Sequence, residues 1–122
     1  MAVHGPDFIA LQVRDLDAAA AFYEQRLGLT LDPAGPPHAV VYATRPIAFA
    51  LREPLPGTDL AAVSHRGAGV VLWLAADDAE GLHADLVAAG VEIVAPPADS
   101  PFGRMFTFRD PEGYAITIHD AA

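Results

Sequence analysis

The feature that most constrains this chain is an internal repetition with a period of about 62 residues, which covers it almost twice. In the first copy, Phe8 to Val13 is a short apolar run with β-branched members, as a strand requires. Asp15 or Asp17 can cap the alanine-rich stretch that follows, and Gly28 can take the left-handed stop. Leu16, Ala20, Tyr23 and Leu27 recur at helical spacing and give that helix one apolar face. The second copy repeats the grammar: Val70 to Ala75 as strand, Asp77-Asp78 as cap, Leu82, Leu86 and Ala89 as apolar face, Gly90 as stop. After each helix come two further strand signals around a tight turn, His38 to Ala43 with Ile47 to Arg52, and Arg104 to Arg109 with Tyr114 to His119. Each copy therefore reads as βαβββ, over residues 7–53 and 68–120, with Pro54 to Gly69 as linker. Neither half can bury both faces of so small a sheet alone, so the two must pair, within one chain or across a dimer.

Composition narrows the function classes. With 52% hydrophobic and 19% charged residues the chain belongs among globular proteins. A formal charge of −9 repels phosphate backbones and anionic lipid, which argues against nucleic acid or membrane as partner and favours approach by cationic molecules. No apolar run approaches the roughly 20 residues of a membrane span, and Met1 to Asp7 lacks the regions of a signal peptide, so a cytoplasmic location is expected. The chain has neither Cys nor Lys, and Ser64 and Ser100 lie in Gly/Pro-rich segments outside any nucleophile elbow. Ordinary nucleophilic catalysis has little to work with.

The order and spacing of Val13-Arg14-Asp15-Leu16, Phe22-Tyr23 and Leu27-Gly28, of Asp77-Asp78, Leu86 and Ala88-Ala89-Gly90-Val91, and of Phe108-Arg109-Asp110-Pro111-Glu112-Gly113 carry a resemblance over nearly the whole chain. They resemble the vicinal oxygen chelate superfamily of glyoxalases, bleomycin-resistance proteins and dioxygenases. The resemblance implies an α+β fold over residues 1–122, one domain in which two βαβββ modules form a cup-shaped mixed sheet with helices outside. It also implies four inward side chains, usually His, His or Glu, and Glu, around a divalent metal. Carried onto this sequence, those positions fall on Phe8, Ala50, Val71 and Thr117. Phe, Ala and Val offer no lone pair and one Thr hydroxyl is a poor ligand for first-row cations, so no metal and no other cofactor is expected.

Strand alternation, applied to the cup, assigns an inward face to Phe8, Ala10 and Gln12, Val40 and Tyr42, Ala48 and Ala50, Val71, Trp73 and Ala75, Phe106 and Phe108, and Ala115 and Thr117. From these the candidate ligand-binding residues are Phe8, Gln12, Tyr42, Ala50, Val71, Trp73, Phe106, Phe108 and Thr117, together with Arg104 as a partner for an anionic group. Aromatic rings interleaved with alanines suit a planar or cationic organic molecule. Ala95 to Arg104, with three prolines and Gly103, reads as a loop over the cavity mouth. His4 and His119 share the parity of Phe8 and Thr117; His38, His65 and His83 read as surface residues. The function expected is metal-independent binding and sequestration of a small, aromatic-containing, bleomycin-like molecule by a homodimer. The alternative is a lyase, isomerase or other natural-product enzyme using the same cavity, and a metal-dependent glyoxalase or dioxygenase stands third.

Overall fold

The computed structural model describes residues 1–120. It divides into two compact units, Met1–Ala62 and the part from Val63 onward. The chain is α+β and each unit is a βαβββ module. The first holds β1 (Phe8–Gln12), α1 (Leu16–Gln25), β2 (Leu31–Asp32), β3 (Ala39–Tyr42) and β4 (Ala48–Arg52). The second holds β5 (Leu72–Ala75), α2 (Ala79–Ala88), β6 (Ile93–Ser100), β7 (Gly103–Arg109) and β8 (Ala115–His119). Their strand orders correspond, β1-β4-β3-β2 and β5-β8-β7-β6, with the first pair parallel in each. Both α-helices are 10 residues long, and among the described residues no helix is long and apolar enough to cross a membrane.

The caps work as their residue types require. Asp15, extended at φ −116°, accepts from the Ala18 amide at 3.0 Å, and Asp78 accepts from the Gly81 amide at 3.0 Å. Gly28 and Gly90 stop the helices at φ 72° and 79°, a conformation that costs a residue with a Cβ far more. At the other end of the second unit the Asp120 carboxylate accepts from the Ala79 amide at 3.1 Å and the Arg104 amide at 2.9 Å, tying the end of β8 to the first turn of α2 and to β7. In α1 the buried face is Ala19, Ala20 and Tyr23. In α2 it is Ala79 and Leu86, while Ala89, expected on the apolar face, is exposed at the helix end.

Residues paired across a ladder share a face, so contacts with the helices settle which face is the core. In the first unit Tyr42 pairs with Phe49, whose ring lies 5.3 Å from that of Tyr23 on α1, and Leu51 pairs with Val40 and Leu11. In the second, Phe106 pairs with Ile118 and Phe108 with Ile116; Leu72 and Leu74 extend the same two rows. The Phe106 ring stands 5.3 Å from His83 of α2. Tyr42, Leu51, Phe106, Phe108, Ile116 and Ile118 are all essentially inaccessible, as sheet residues under a helix should be.

Two expectations are corrected here. Val40, Tyr42, Phe106 and Phe108 were assigned to the face away from the helices, but they lie on the helix side. β3 and β7 carry bulky apolar residues in both phases, and a register choice one residue off transfers every side chain to the other face. Ala95 to Arg104 is not a loop: Ile93–Ser100 is an edge strand paired with β7, with shifts in register between Ile93 and Ala95 and between Ala95 and Ala98. Pro96 and Pro97 sit in the second shift. An edge strand admits them because half its amide positions need no partner.

Candidate functional site

The far side of the second sheet, opposite α2, carries one cluster built by strand geometry. Trp73 on β5 pairs with Thr117 on β8, which pairs with Thr107 on β7. Ala75, His119 and Met105 form the adjacent row. The turn after β6 brings Phe102 over this face, with Ser100 shaping the turn: its hydroxyl donates to the Gly103 carbonyl at 2.7 Å and accepts from the Phe102 amide at 3.1 Å. The indole of Trp73 meets two rings edge-to-face, Phe102 at 5.6 Å and His119 at 5.6 Å between centroids. The His119 Nδ1 lies 3.2 Å from the Phe102 carbonyl oxygen. A carbonyl only accepts, so Nδ1 carries the proton, and in the neutral ring the lone pair is on Nε2. Trp73 is 39% exposed and Phe102 57%, so the aromatic surface remains accessible. Below it the Thr107 and Thr117 hydroxyls lie 2.8 Å apart.

The other candidate residues are placed differently. In the first unit Phe8, Gln12 and Ala50 do lie on the side away from α1; Phe8 is half-exposed and Ala50 buried. The Gln12 side-chain oxygen accepts from the Leu55 amide at 2.8 Å, which commits it to the linker. Val71 is largely exposed just before β5. Tyr42, on the helix side, donates its hydroxyl to Glu24 at 3.0 Å and to the Ala20 carbonyl at 3.3 Å. Burial, and then the neighbouring Glu24, holds its phenol well above the usual range. Arg104 also stands on the helix side: its Nε meets Glu80 of α2 at 2.7 Å and its Nη1 meets Asp99 at 3.2 Å. These carboxylates, Glu80 first, keep its guanidinium even more firmly protonated than usual and engage it as a surface ion-pair partner. His4 is exposed in the segment before β1. Phe102 was missed because it was read inside a loop; an aromatic directly before a glycine in a turn, followed by a strand, was its signal.

The comparisons agree with this architecture. The profile of the Glyoxalase/Bleomycin resistance protein/Dioxygenase superfamily matches residues 5–118. Two curated mycobacterial proteins, from Mycobacterium bovis and Mycobacterium tuberculosis and both named "Putative glyoxylase CFP32", are 32% identical over 108 residues, covering 84% of this chain and 38% of their own length. The chain thus spans little over a third of those relatives. Among solved structures, TnmS3, an antibiotic binding protein from Streptomyces sp. CB03234, superposes with a TM-score of 0.76 at 25% identity, covering 100% of this chain and 99% of TnmS3. Lactoylglutathione lyase from Agrobacterium tumefaciens shares the fold with a TM-score of 0.68 at 22% identity, covering 95% and 92% of the two chains.

The metal that this fold often carries does not fit the residues at the corresponding positions. Phe8, Ala50 and Val71 have no donor atom, and the Thr117 hydroxyl is engaged by Thr107. Among the described residues no three or more of His, Asp and Glu gather where they could hold a metal ion. Fold, profile and strand order together show that the chain belongs to the Glyoxalase/Bleomycin resistance protein/Dioxygenase superfamily.

Proposed function

We propose that this chain binds and sequesters a small planar aromatic molecule, of the kind found in bleomycin-like or polycyclic antibiotics, without a metal. The observation that carries the reading is the half-exposed Trp73, set edge-to-face between Phe102 and His119 on the sheet side away from α2. A half-exposed indole held in place by two further rings is a preformed stacking surface, which binds a flat ligand at little cost in side-chain entropy. The net charge of −9 adds an attraction for cationic ligands. Likeness to an antibiotic binding protein supports the same reading. Trp73 is the only tryptophan, so its emission reports on the site directly. Titration of protein dialysed against a chelator with a bleomycin-type glycopeptide and several polycyclic antibiotics is expected to give saturable quenching at fixed stoichiometry, with the ligand recovered unchanged. Emission indifferent to the whole panel would sink the reading, and binding that returns only on adding Zn²⁺, Ni²⁺ or Mn²⁺ would sink its metal-free part.

One observation favours a second reading, an enzyme of lyase or isomerase type: an imidazole, His119, lies beside Trp73 and has a defined tautomer. Chemical change of the bound ligand, lost in His119→Ala, would promote it over sequestration.

We further propose that the working form is a homodimer. Val70 and Val71 are exposed by more than two-thirds immediately before β5, which is an edge strand, and such apolar edges are normally covered. Sedimentation at micromolar concentration is expected to give twice the chain mass of 12.8 kDa. A single species at the chain mass overturns this.

A further inference from the structure

One cross-strand row runs over all four strands of the second sheet on the side away from α2: Trp73, Thr117, Thr107 and Ala95. Its centre is polar in an otherwise apolar and aromatic surface. The two hydroxyl oxygens are 2.8 Å apart, Thr117 is 5% exposed and Thr107 is half-buried. Each hydroxyl brings one proton, and only one of the two can lie between the oxygens. The second has no acceptor among the described residues, since neither hydroxyl makes another hydrogen bond there. Water can take that proton while the face is open, and a flat ligand that covers the face and displaces the water must supply the acceptor in its place.

We propose that the Thr107–Thr117 pair is the polar specificity element of the aromatic site, and that it donates its second proton to a neutral carbonyl oxygen conjugated to the ligand's ring system. This rests on the binding reading above and names its substrate class more narrowly. Adjacent strands lie about 4.8 Å apart, so the pair begins one strand from Trp73, within the span of a ligand of two or three fused rings. An anionic acceptor fits less well: the nearby Arg109 is engaged by Glu92 at 3.0 Å, and the chain carries an excess of negative charge. At the far end of the row Ala95 leaves room where a larger side chain would crowd the ring.

Fluorene and 9-fluorenone test this, because both are flat tricycles that differ in a single carbonyl. Equilibrium dialysis against the intact chain is expected to show fluorenone held about threefold to tenfold more tightly, the worth of one neutral hydrogen bond. In Thr107→Val/Thr117→Val, which keeps the shape of both side chains but removes both hydroxyls, the preference for fluorenone over fluorene should vanish. In Thr107→Ser/Thr117→Ser, which restores both hydroxyls, the preference should return. Equal affinity in the unaltered chain overturns the proposal and leaves aromatic binding standing, as does a preference that survives the double valine variant. Retention of neither compound, with Trp73 emission unchanged by either, overturns the binding reading and this one with it.

Discussion

Glu112→Ala is expected to destabilise the chain by about 3 to 5 kcal/mol, far more than an ordinary surface substitution. Arg66 Nη1 meets Glu112 Oε1 at 2.6 Å, and the two side chains are only 8% and 6% exposed. The pair fastens the segment before β5 to the turn between β7 and β8. That turn is itself organised by Asp110, whose carboxylate accepts from the amides of Glu112 and Tyr114, both at 2.9 Å. Removing the glutamate takes away the carboxylate that meets the buried guanidinium at 2.6 Å and keeps the Glu112 main-chain carbonyl at 3.1 Å. The cost arises from breaking a buried charge pair one-sidedly and not from the worth of the intact pair. Arg66→Met/Glu112→Leu should therefore recover most of the loss. Urea denaturation midpoints of the two variants and the parent decide it. A cost under about 1 kcal/mol for Glu112→Ala would show that the pair behaves as a solvated surface contact.

The second large effect separates the two faces of the second sheet. Phe106→Ala removes a fully buried ring packed against His83 and Phe108, and should lower stability by about 3 to 5 kcal/mol. Trp73→Ala should cost stability much less, because the indole is already partly in water, but should weaken ligand binding by roughly 1 to 3 kcal/mol. Thermal melts and titrations of both variants distinguish a core residue from a stacking surface. If Trp73→Ala unfolded the chain as readily as Phe106→Ala, Trp73 would be a core residue and the proposed site would be lost.

The repeat made the fold legible. Caps at Asp15 and Asp78 and stops at Gly28 and Gly90 are local chemistry, recognisable from residue type and position alone. Face assignment was harder, since it depends on partners distant in sequence. β7 reads Met105-Phe106-Thr107-Phe108, and both of its phases contain bulky apolar residues; only the pairing of Thr107 with Thr117 fixes which one faces α2. Strand alternation with the carried-over positions Val71 and Thr117 puts Trp73 and Thr117 on one face, and the aliphatic Leu72, Leu74, Ile116 and Ile118 between them do line the helix side. Phe102 and the role of β6 were hidden for a different reason. Proline-rich sequence ordinarily signals a loop, and only an edge position lets Pro96 and Pro97 lie within a strand.

The pairing of β6 with β7 also bears on time. A ligand guarded by a mobile flap must wait for the flap to open, on a scale of microseconds to milliseconds or slower. Here the stretch that would have been the flap is tied down by a ladder reaching from Ile93 to Ser100, and Phe102 is fixed at its end by the Ser100 hydroxyl. For the ligand proposed to bind at Trp73, arrival would then be limited by diffusion and orientation, with rate constants on the order of 10⁵ to 10⁷ M⁻¹s⁻¹. Differences in affinity among related ligands would be expressed almost entirely as differences in how long each one stays.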